Sequence, residues 1–362
     1  MINEDELIFL TFVEENYSRS GVLRAAMPKS HFELLPSPSF HLLMKLVKFR
    51  VTGLWRDKVL VVMSPAHVLV LFLKLLFPNK IVLDAGWPLV DGAMSRDNLI
   101  KFNFSRKHIW HFILDFLCFK LAHVVALETN CQLERVKKLF KLNHVKVFRS
   151  FTGFDEIGID KKKNDIDCPI KSACPECGLN DNKVILFRGK YNFEAGIEIL
   201  AAATQDIRLQ GVTFVIASNR SLDGIKFSEG TIVLSQFLSM EQIAHLYRVS
   251  DLSIGQISNN PRIAFTIPHK AYESAFFKTP YLTRDSVAIR ELFPNDSDAI
   301  FFDPEKCDIN DLIHSSINDK TISIKGENAF TNYSNVASQA VIATNFLNSV
   351  NESLELIDRR AD

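Results

Sequence analysis

The sequence predicts an α/β protein made of two doubly wound domains, each with a parallel sheet. Three observations carry that expectation. Short apolar runs alternate with longer amphipathic segments along most of the chain. The alternation breaks once, at 156–182, and then resumes. A length of 362 residues exceeds what one hydrophobic core usually organises. Strand–helix alternation of this kind feeds right-handed crossovers and therefore a parallel sheet.

In order, residues 7–13 (LIFLTFV) are a continuous apolar run and are expected as a buried first strand. A polar turn follows, with a helix from about residue 22. Residues 32–35 are a second strand. Over 40–51, Lys45, Lys48 and Arg50 are interspersed among apolar positions, which predicts an amphipathic helix. A strand at 58–63 leads into Ser64-Pro65, read as the N-cap and first helical position of a helix running to Pro78. Strand 80–83 ends in the turn DAGWPLVDG. An apolar helix over 109–122, a strand at 123–127, a helix opened by Glu128-Thr129 and a strand at 145–148 complete the first half.

Residues 156–182 are polar, contain Gly and Pro, and have no period, so they read as a linker. Beyond it, strands are expected at 184–187, 212–217, 231–234, 252–255, 281–283 and 299–302. Helices fall between them, including 195–204 and 240–249. A long amphipathic stretch over 328–357 closes the chain. The domains are placed at 1–160 and 183–330, with a linker at 161–182 and a C-terminal segment at 331–362.

Composition excludes several classes. Hydrophobic residues make up 47% and charged residues 23% of the chain, as in a folded protein. Net charge is zero, and no nucleic-acid recognition motif is present, which argues against nucleic-acid binding. Charge is uneven, however: residues 101–150 hold ten Lys and Arg against three acids. With the apolar helices 40–51 and 106–122, that stretch predicts peripheral contact with an anionic membrane. The acidic start MINEDEL is unlike a secretory leader, and no apolar run reaches the ~18–20 residues that span a bilayer. A cytoplasmic location, at the inner face of the plasma membrane, is expected, with the six cysteines reduced. Cys168, Cys174 and Cys177 have zinc-knuckle spacing, but structural zinc takes four ligands and Asp165 or Asp167 would have to complete the set. A reduced linker loop without metal is the reading.

The stretch 261–304 organises the second half. Ile267-Pro268 opens a helix in which Lys270 and Glu273, three apart, share a face. Helix N-termini carry free N–H groups and partial positive charge, so such a cation and carboxylate suit a nucleotide's phosphate and ribose. Ligands of open α/β sheets bind beyond strand C-termini. That rule selects Arg188, Gly189 and Lys190 after the strand 184–187, and Asp84 and Trp87 after the strand 80–83. Asp84 is assigned a hydrogen bond to a sugar hydroxyl and Trp87 a stacking contact on a pyranose. His67, after the strand 58–63, is the nearest histidine on that side, and Gly21 marks the turn after the first strand.

The run IPHKAYESAFFKTPYLT, followed by Arg290-Glu291 and FFDPEKCDINDLI, resembles the donor-site signature of retaining GT-B glycosyltransferases, most closely family 4. Glu273 matches the family's ribose-binding Glu. Lys270 matches a Lys that faces the diphosphate in a subset of members. The partner position of the family's E-x7-E pair is Phe265 here. Lys190 matches the Arg of a Gly-Arg motif and Gly196 a later Gly, while the expected second Lys is Ala195, for which Arg188 or Lys270 can substitute. Gly153 and Asp155 match a G-x-D turn. Gly21 matches a loop glycine that approaches the donor. A His that faces the donor sugar in related enzymes falls on Gly86.

The resemblance implies two Rossmann-like domains facing each other across a cleft, with the final helix returning to the first domain. It implies transfer of a sugar from a UDP- or GDP-sugar to a glycan or lipid-linked acceptor, with retention of configuration, in cell-surface polysaccharide synthesis. Lys190 and Lys270 neutralise the departing diphosphate, with Asp84 as a further catalytic group. No cofactor or metal is required. The competing class is a non-catalytic GT-B module of a glycan-assembly complex. An epimerase or phosphorylase on the same fold is a third.

Overall fold

The computed structural model describes residues 1–12, 18–97, 105–142, 146–156, 170, 182–189, 194–218 and 222–359. The chain divides into two units, Met1–Asp155 with Ala337–Asp362 and Glu156–Val336. Each unit contains one six-stranded sheet, and every strand pair in both is parallel.

In the first unit the strands are β1 (Leu7–Thr11), β2 (His31–Leu34), β3 (Val59–Met63), β4 (Ile81–Gly86), β5 (Val124–Leu127) and β6 (Lys146–Arg149), ordered β2-β1-β3-β4-β5-β6. β1, β3, β4 and β5 are buried along their whole length. Strands covered on both faces read as continuous Val/Ile/Leu runs rather than alternating ones, which is why the sequence shows them so directly. β2 lies at the edge, and its ends are exposed. The order reverses between β1 and β3, the topological switch point of a flavodoxin-like sheet.

In the second unit the strands are β7 (Lys183–Arg188), β8 (Val212–Ala217), β9 (Ile232–Leu234), β10 (Leu252–Ile254), β11 (Tyr281–Arg284) and β12 (Ile300–Phe302). Their order, β12-β11-β10-β7-β8-β9, is the 3-2-1-4-5-6 arrangement of a dinucleotide-binding fold, with its switch point between β7 and β10. The core on one side of this sheet runs from Ile185 and Phe187 through Phe214, Ile216 and Leu282 to Ile313.

All twelve expected strands are present, with differences at their ends. β4 runs on to Gly86, so Asp84 is inside the sheet, in register with Met63 and Ala126, and not in the turn beyond it. Ser64-Pro65 does not open a helix. Two turns intervene, closed by Ala66 N to Met63 O at 2.8 Å and Leu69 N to Ala66 O at 2.9 Å, and the helix is Leu69–Leu76. Gly21 lies within the helix Ser18–Ala26 rather than in a loop. The stretch 328–357 is not one helix but parts of two, Ile322–Val336 and Gln339–Asp358. The break falls where the chain leaves the second unit for the first. There the Gln339 side chain donates to Val22 O at 3.2 Å, tying the last helix to Ser18–Ala26.

Candidate active site at the switch point of the second sheet

The helix His269–Phe276 starts immediately after Pro268, which is its N-cap. Periodicity suggests one buried and one solvated face, yet all six residues from Lys270 to Ala275 are buried. The helix Ile322–Val336 packs on this helix, with Tyr333 edge-on to Phe276, while the face that carries Lys270 and Glu273 is covered by Phe187, Arg188, Tyr247 and Gly255. Lys270 and Glu273 are therefore turned into the protein, toward the carboxyl ends of β7 and β10.

Glu273 is fully buried, and both of its oxygens are engaged. Oε1 accepts from Arg188 Nη1 at 2.7 Å and from His269 Nδ1 at 2.9 Å. Oε2 accepts from the Tyr247 hydroxyl at 2.7 Å. Burial alone would raise this carboxyl's pKa, but Arg188, His269 and Tyr247 together outweigh it and hold it at about 2. Glu273 is thus ionised and sequestered beneath Arg188, whose own side chain is 26% exposed. The structure places Glu273 behind a cation rather than at a surface where ribose hydroxyls would meet it.

Lys270 reaches the same place from one turn earlier. Its Nζ donates to the carbonyl of Gly255, just after β10, at 3.0 Å, and lies 3.9 Å from the centroid of the Phe187 ring on β7. That is the ammonium's only hydrogen bond among the described residues. Burial, followed by repulsion from Arg188, lowers its pKa to about 7. Gly189 has φ +145, a conformation L side chains rarely adopt, and its absent Cβ would stand 3.9 Å from Lys270 Nζ. Arg188, Gly189, Lys270 and Glu273 are therefore brought together. Lys190 lies outside the described residues.

A second buried carboxylate adjoins the group. Glu194 is 3% exposed and accepts from Arg262 Nη1 at 2.8 and 3.0 Å and from Gln256 Nε2 at 3.1 Å. Its negative charge supports Lys270's protonation. Gly196, φ +71, allows this turn to approach the loop after β10: a Cβ there would stand 2.9 Å from Ser258 N. An open basin at the ends of β11 and β12, lined by Arg284, Asp285, Ser286, Arg290, Asp303 and Glu305, has a different character. Arg290 there is matched by Asp285 and Asp296, each at 2.7 Å.

Sequence reasoning missed His269, Tyr247, Glu194 and Arg262. His269 and Glu273 are four apart on one helix, a spacing that signals a pair. Tyr247 and Arg262 carry no local signal, because they reach the site from other segments of the chain.

The residues expected on the first unit have other surroundings. Asp84 is fully buried, and Arg19 takes both its oxygens, with Nε to Oδ2 at 2.7 Å and Nη2 to Oδ1. Arg19 Nη1 also donates to Ser150 O at 2.8 Å. The assignment of Asp84 to a sugar hydroxyl is corrected accordingly: its position inside β4 gives it an internal ion pair. His67 is fully buried, and neither ring nitrogen has a hydrogen-bond partner among the described residues. Burial lowers its pKa to about 4, so it is a neutral imidazole packed edge-on to Phe119. It is not exposed to an acceptor. Trp87 is half-buried, with its indole nitrogen close against Gly92.

Among solved structures, the chain resembles Anabaena Alr3699/HepE in complex with UDP and glucose, with a TM-score of 0.69, 14% identity, and coverage of 96% of this chain and 99% of that one. It resembles an α,α-trehalose-phosphate synthase (UDP-forming) from Burkholderia xenovorans at a TM-score of 0.63 and 10% identity, over 95% and 99% of the two chains. A glycosyltransferase from Rickettsia africae matches at 0.62 and 12%, over 96% and 98%. No protein-family model and no curated protein matches the sequence. The likeness establishes the fold, which is that of GT-B glycosyltransferases with two Rossmann-like units.

Proposed function

We propose that the protein is a glycosyltransferase that uses a nucleotide-sugar donor and holds the donor's diphosphate at the switch point of the second sheet. One observation carries this reading: the buried Lys270 and the half-buried Arg188 share that point with the fully buried Glu273, while the adjoining Glu194 is taken by Arg262. A desolvated cation such as Lys270, with one hydrogen bond among the described residues, is costly unless an anion completes it. The carboxyl ends of β7 and β10 are where a sheet of this order takes its ligands. One protein of the same fold, Alr3699/HepE, has been solved with UDP-glucose and with UDP and glucose, which supports a UDP-sugar donor.

In this reading Arg188 and Lys270 stabilise the negative charge that develops on the leaving diphosphate, an effect that is strongest where water is excluded. Glu273 is a positioning residue. Held ionised by His269 and Tyr247, it fixes the guanidinium of Arg188. Retention of configuration, metal independence and a glycan or lipid-linked acceptor in surface-polysaccharide synthesis belong to the proposal through the family resemblance. The leaving phosphate itself would then assist the acceptor hydroxyl.

A second reading, nucleotide-sugar binding without transfer, is favoured by Phe265 and Ala195, which replace a Glu and a Lys of the family pattern. Thermal shift and turnover with UDP- and GDP-sugars test both. A ligand that binds only the native state raises the melting temperature. A shift with transfer or donor hydrolysis supports the enzyme, and a shift without turnover selects the second reading. No shift with any nucleotide sugar would sink both.

A further inference from the structure

Four helices cover one face of the first sheet: Phe40–Thr52, Leu69–Leu76, Arg106–Leu121 and Asn130–Phe140. Leu69–Leu76 packs between Phe40–Thr52 and Arg106–Leu121, and Asn130–Phe140 packs beside the latter. Their inward residues, such as Leu42, Leu46, Leu73, Leu114 and Phe119, form the core. Their outward residues are not those of an ordinary wet surface.

Phe40, Met44, Val47 and Val51 recur at steps of four, three and four, which is one stripe of a helix. They point outward: Phe40 is 76% and Val51 80% exposed. Leu54 and Leu75 continue the exposed apolar surface. On Arg106–Leu121, Trp110, Ile113 and Leu117 make a second exposed stripe, with Trp110 at 58%. Scattered exposed apolar residues are normal, whereas two stripes on helices of one layer, with the exposed Leu75 on the helix between them, mark an interaction surface.

Charge on the same helices is one-sided. They carry ten Lys and Arg and two carboxylates. One of the two, Asp115, is buried and accepts from Leu89 N and Val90 N at 3.0 and 2.9 Å. Lys45, Lys107, Arg135 and Lys137 are paired with acids. Lys48, Arg50, Lys74, Arg106, Lys120 and Lys138 have no carboxylate partner among the described residues.

We propose that this face docks on an anionic lipid bilayer, with Phe40, Val51 and Trp110 entering the headgroup region and the unpaired Lys and Arg contacting lipid phosphates. Apolar stripes flanked by cations are the pattern of surfaces that lie in a membrane interface. Long basic side chains keep their charge at the headgroups while their stems cover apolar surface. A second copy of the chain would set cations against cations, and a nucleic acid, whose bases could stack on Phe40 or Trp110, would leave the exposed aliphatic Met44, Val51, Leu54 and Leu75 uncovered. No described helix is long and apolar enough to cross a membrane, so the contact is with the surface. The inference does not depend on the transferase reading.

The test is sedimentation of the full chain with vesicles of phosphatidylcholine alone or mixed with phosphatidylglycerol, with tryptophan emission recorded. The expected result is binding to the mixed vesicles only, weakened by added salt, with a blue shift that W110F removes. K48E/R50E should lower partitioning roughly tenfold or more, and F40S/V51S should lower it at unchanged salt dependence. Melting temperatures of these surface variants should match the parent's. Equal binding to both vesicle types, binding to neither, or variants that sediment like the parent would overturn the proposal. So would self-association that K48E/R50E abolishes. Nucleotide-sugar thermal shifts measured on the same variants keep this outcome separate from that of the donor site.

Discussion

Each sheet has an arginine paired with a fully buried carboxylate near its switch point, and the two pairs differ in what surrounds them. In the first unit Arg19 and Asp84 close on one another: both carboxylate oxygens are taken, and a further arginine N–H goes to Ser150 O. Arg19 is 2% exposed and Asp84 not at all, and the charges cancel. In the second unit Arg188 and Glu273 also pair, but Lys270 adds a cation with no carboxylate in contact among the described residues. A closed pair fixes a fold. An excess of one sign, buried at the place where sheets bind ligands, calls for a counter-charge from outside.

Removing one partner from each site should break that comparison most sharply. Asp84→Ala leaves Arg19 buried without a counter-ion and should cost about 3–5 kcal/mol of stability in urea unfolding. A loss below ~1 kcal/mol would show that Arg19 escapes to water and that the pair is not closed. Lys270→Met should do the reverse. It removes a desolvated charge, so the melting temperature should hold or rise, while donor affinity falls by about 10–100-fold, the worth of a charged hydrogen bond of ~1.5–3 kcal/mol. Unchanged affinity by calorimetry would take Lys270 out of the site.

Glu273→Gln should have a smaller effect than Lys270→Met if Glu273 acts through Arg188. The amide keeps most of the shape but loses the charge that fixes the guanidinium. Affinity for UDP and for a UDP-sugar should then drop by the same factor, and uridine, which has no phosphate, should be unaffected. A selective loss for uridine would return Glu273 to the ribose.

The pH dependence sharpens the comparison with the least perturbation. Lys270's pKa is lowered to about 7 in the folded protein, chiefly by burial, from lysine's ordinary 10.5. The unfolded chain therefore binds the extra proton between those values, and this group's contribution to stability rises with pH across that window. Diphosphate favours the protonated form, so donor affinity should be full below pH 7. Above it, affinity should weaken by up to about tenfold per pH unit, with proton uptake on binding. The Lys270→Met variant should show neither slope. A donor affinity flat from pH 6 to 9 in the parent would mean that Lys270 is already paired.

How much was legible follows from where each signal resides. β3, β4 and β5 are short runs of Val, Ile and Leu because they are covered on both faces, and such runs stand out in sequence. The helix carrying Lys270 and Glu273 was visible from its proline and the spacing of its residues. The direction of those side chains was not. Periodicity assigns them to a polar face, and only their contacts with Phe187, Arg188, Tyr247 and Gly255, from other segments of the chain, show that this face is covered too. Sequence puts Asp84 in the turn after the strand because nothing local shows that β4 continues through Asp84-Ala85-Gly86. Its pairing with β3 and β5 decides that.

The chain's own chemistry therefore determined the element types, the two cycles of strand and helix, and the candidate phosphate-binding cations, since each of these is written in a few adjacent residues. Strand order, the switch point and the partners of each buried charge came from tertiary structure. They depend on segments tens or hundreds of residues apart: Tyr247 reaches Glu273 across 26 positions, Arg19 reaches Asp84 across 65, and Gln339 reaches Val22 across 317. Whether a buried charge is closed or open is settled by such distant neighbours, because in a low-dielectric interior a group's charge state follows from everything packed around it.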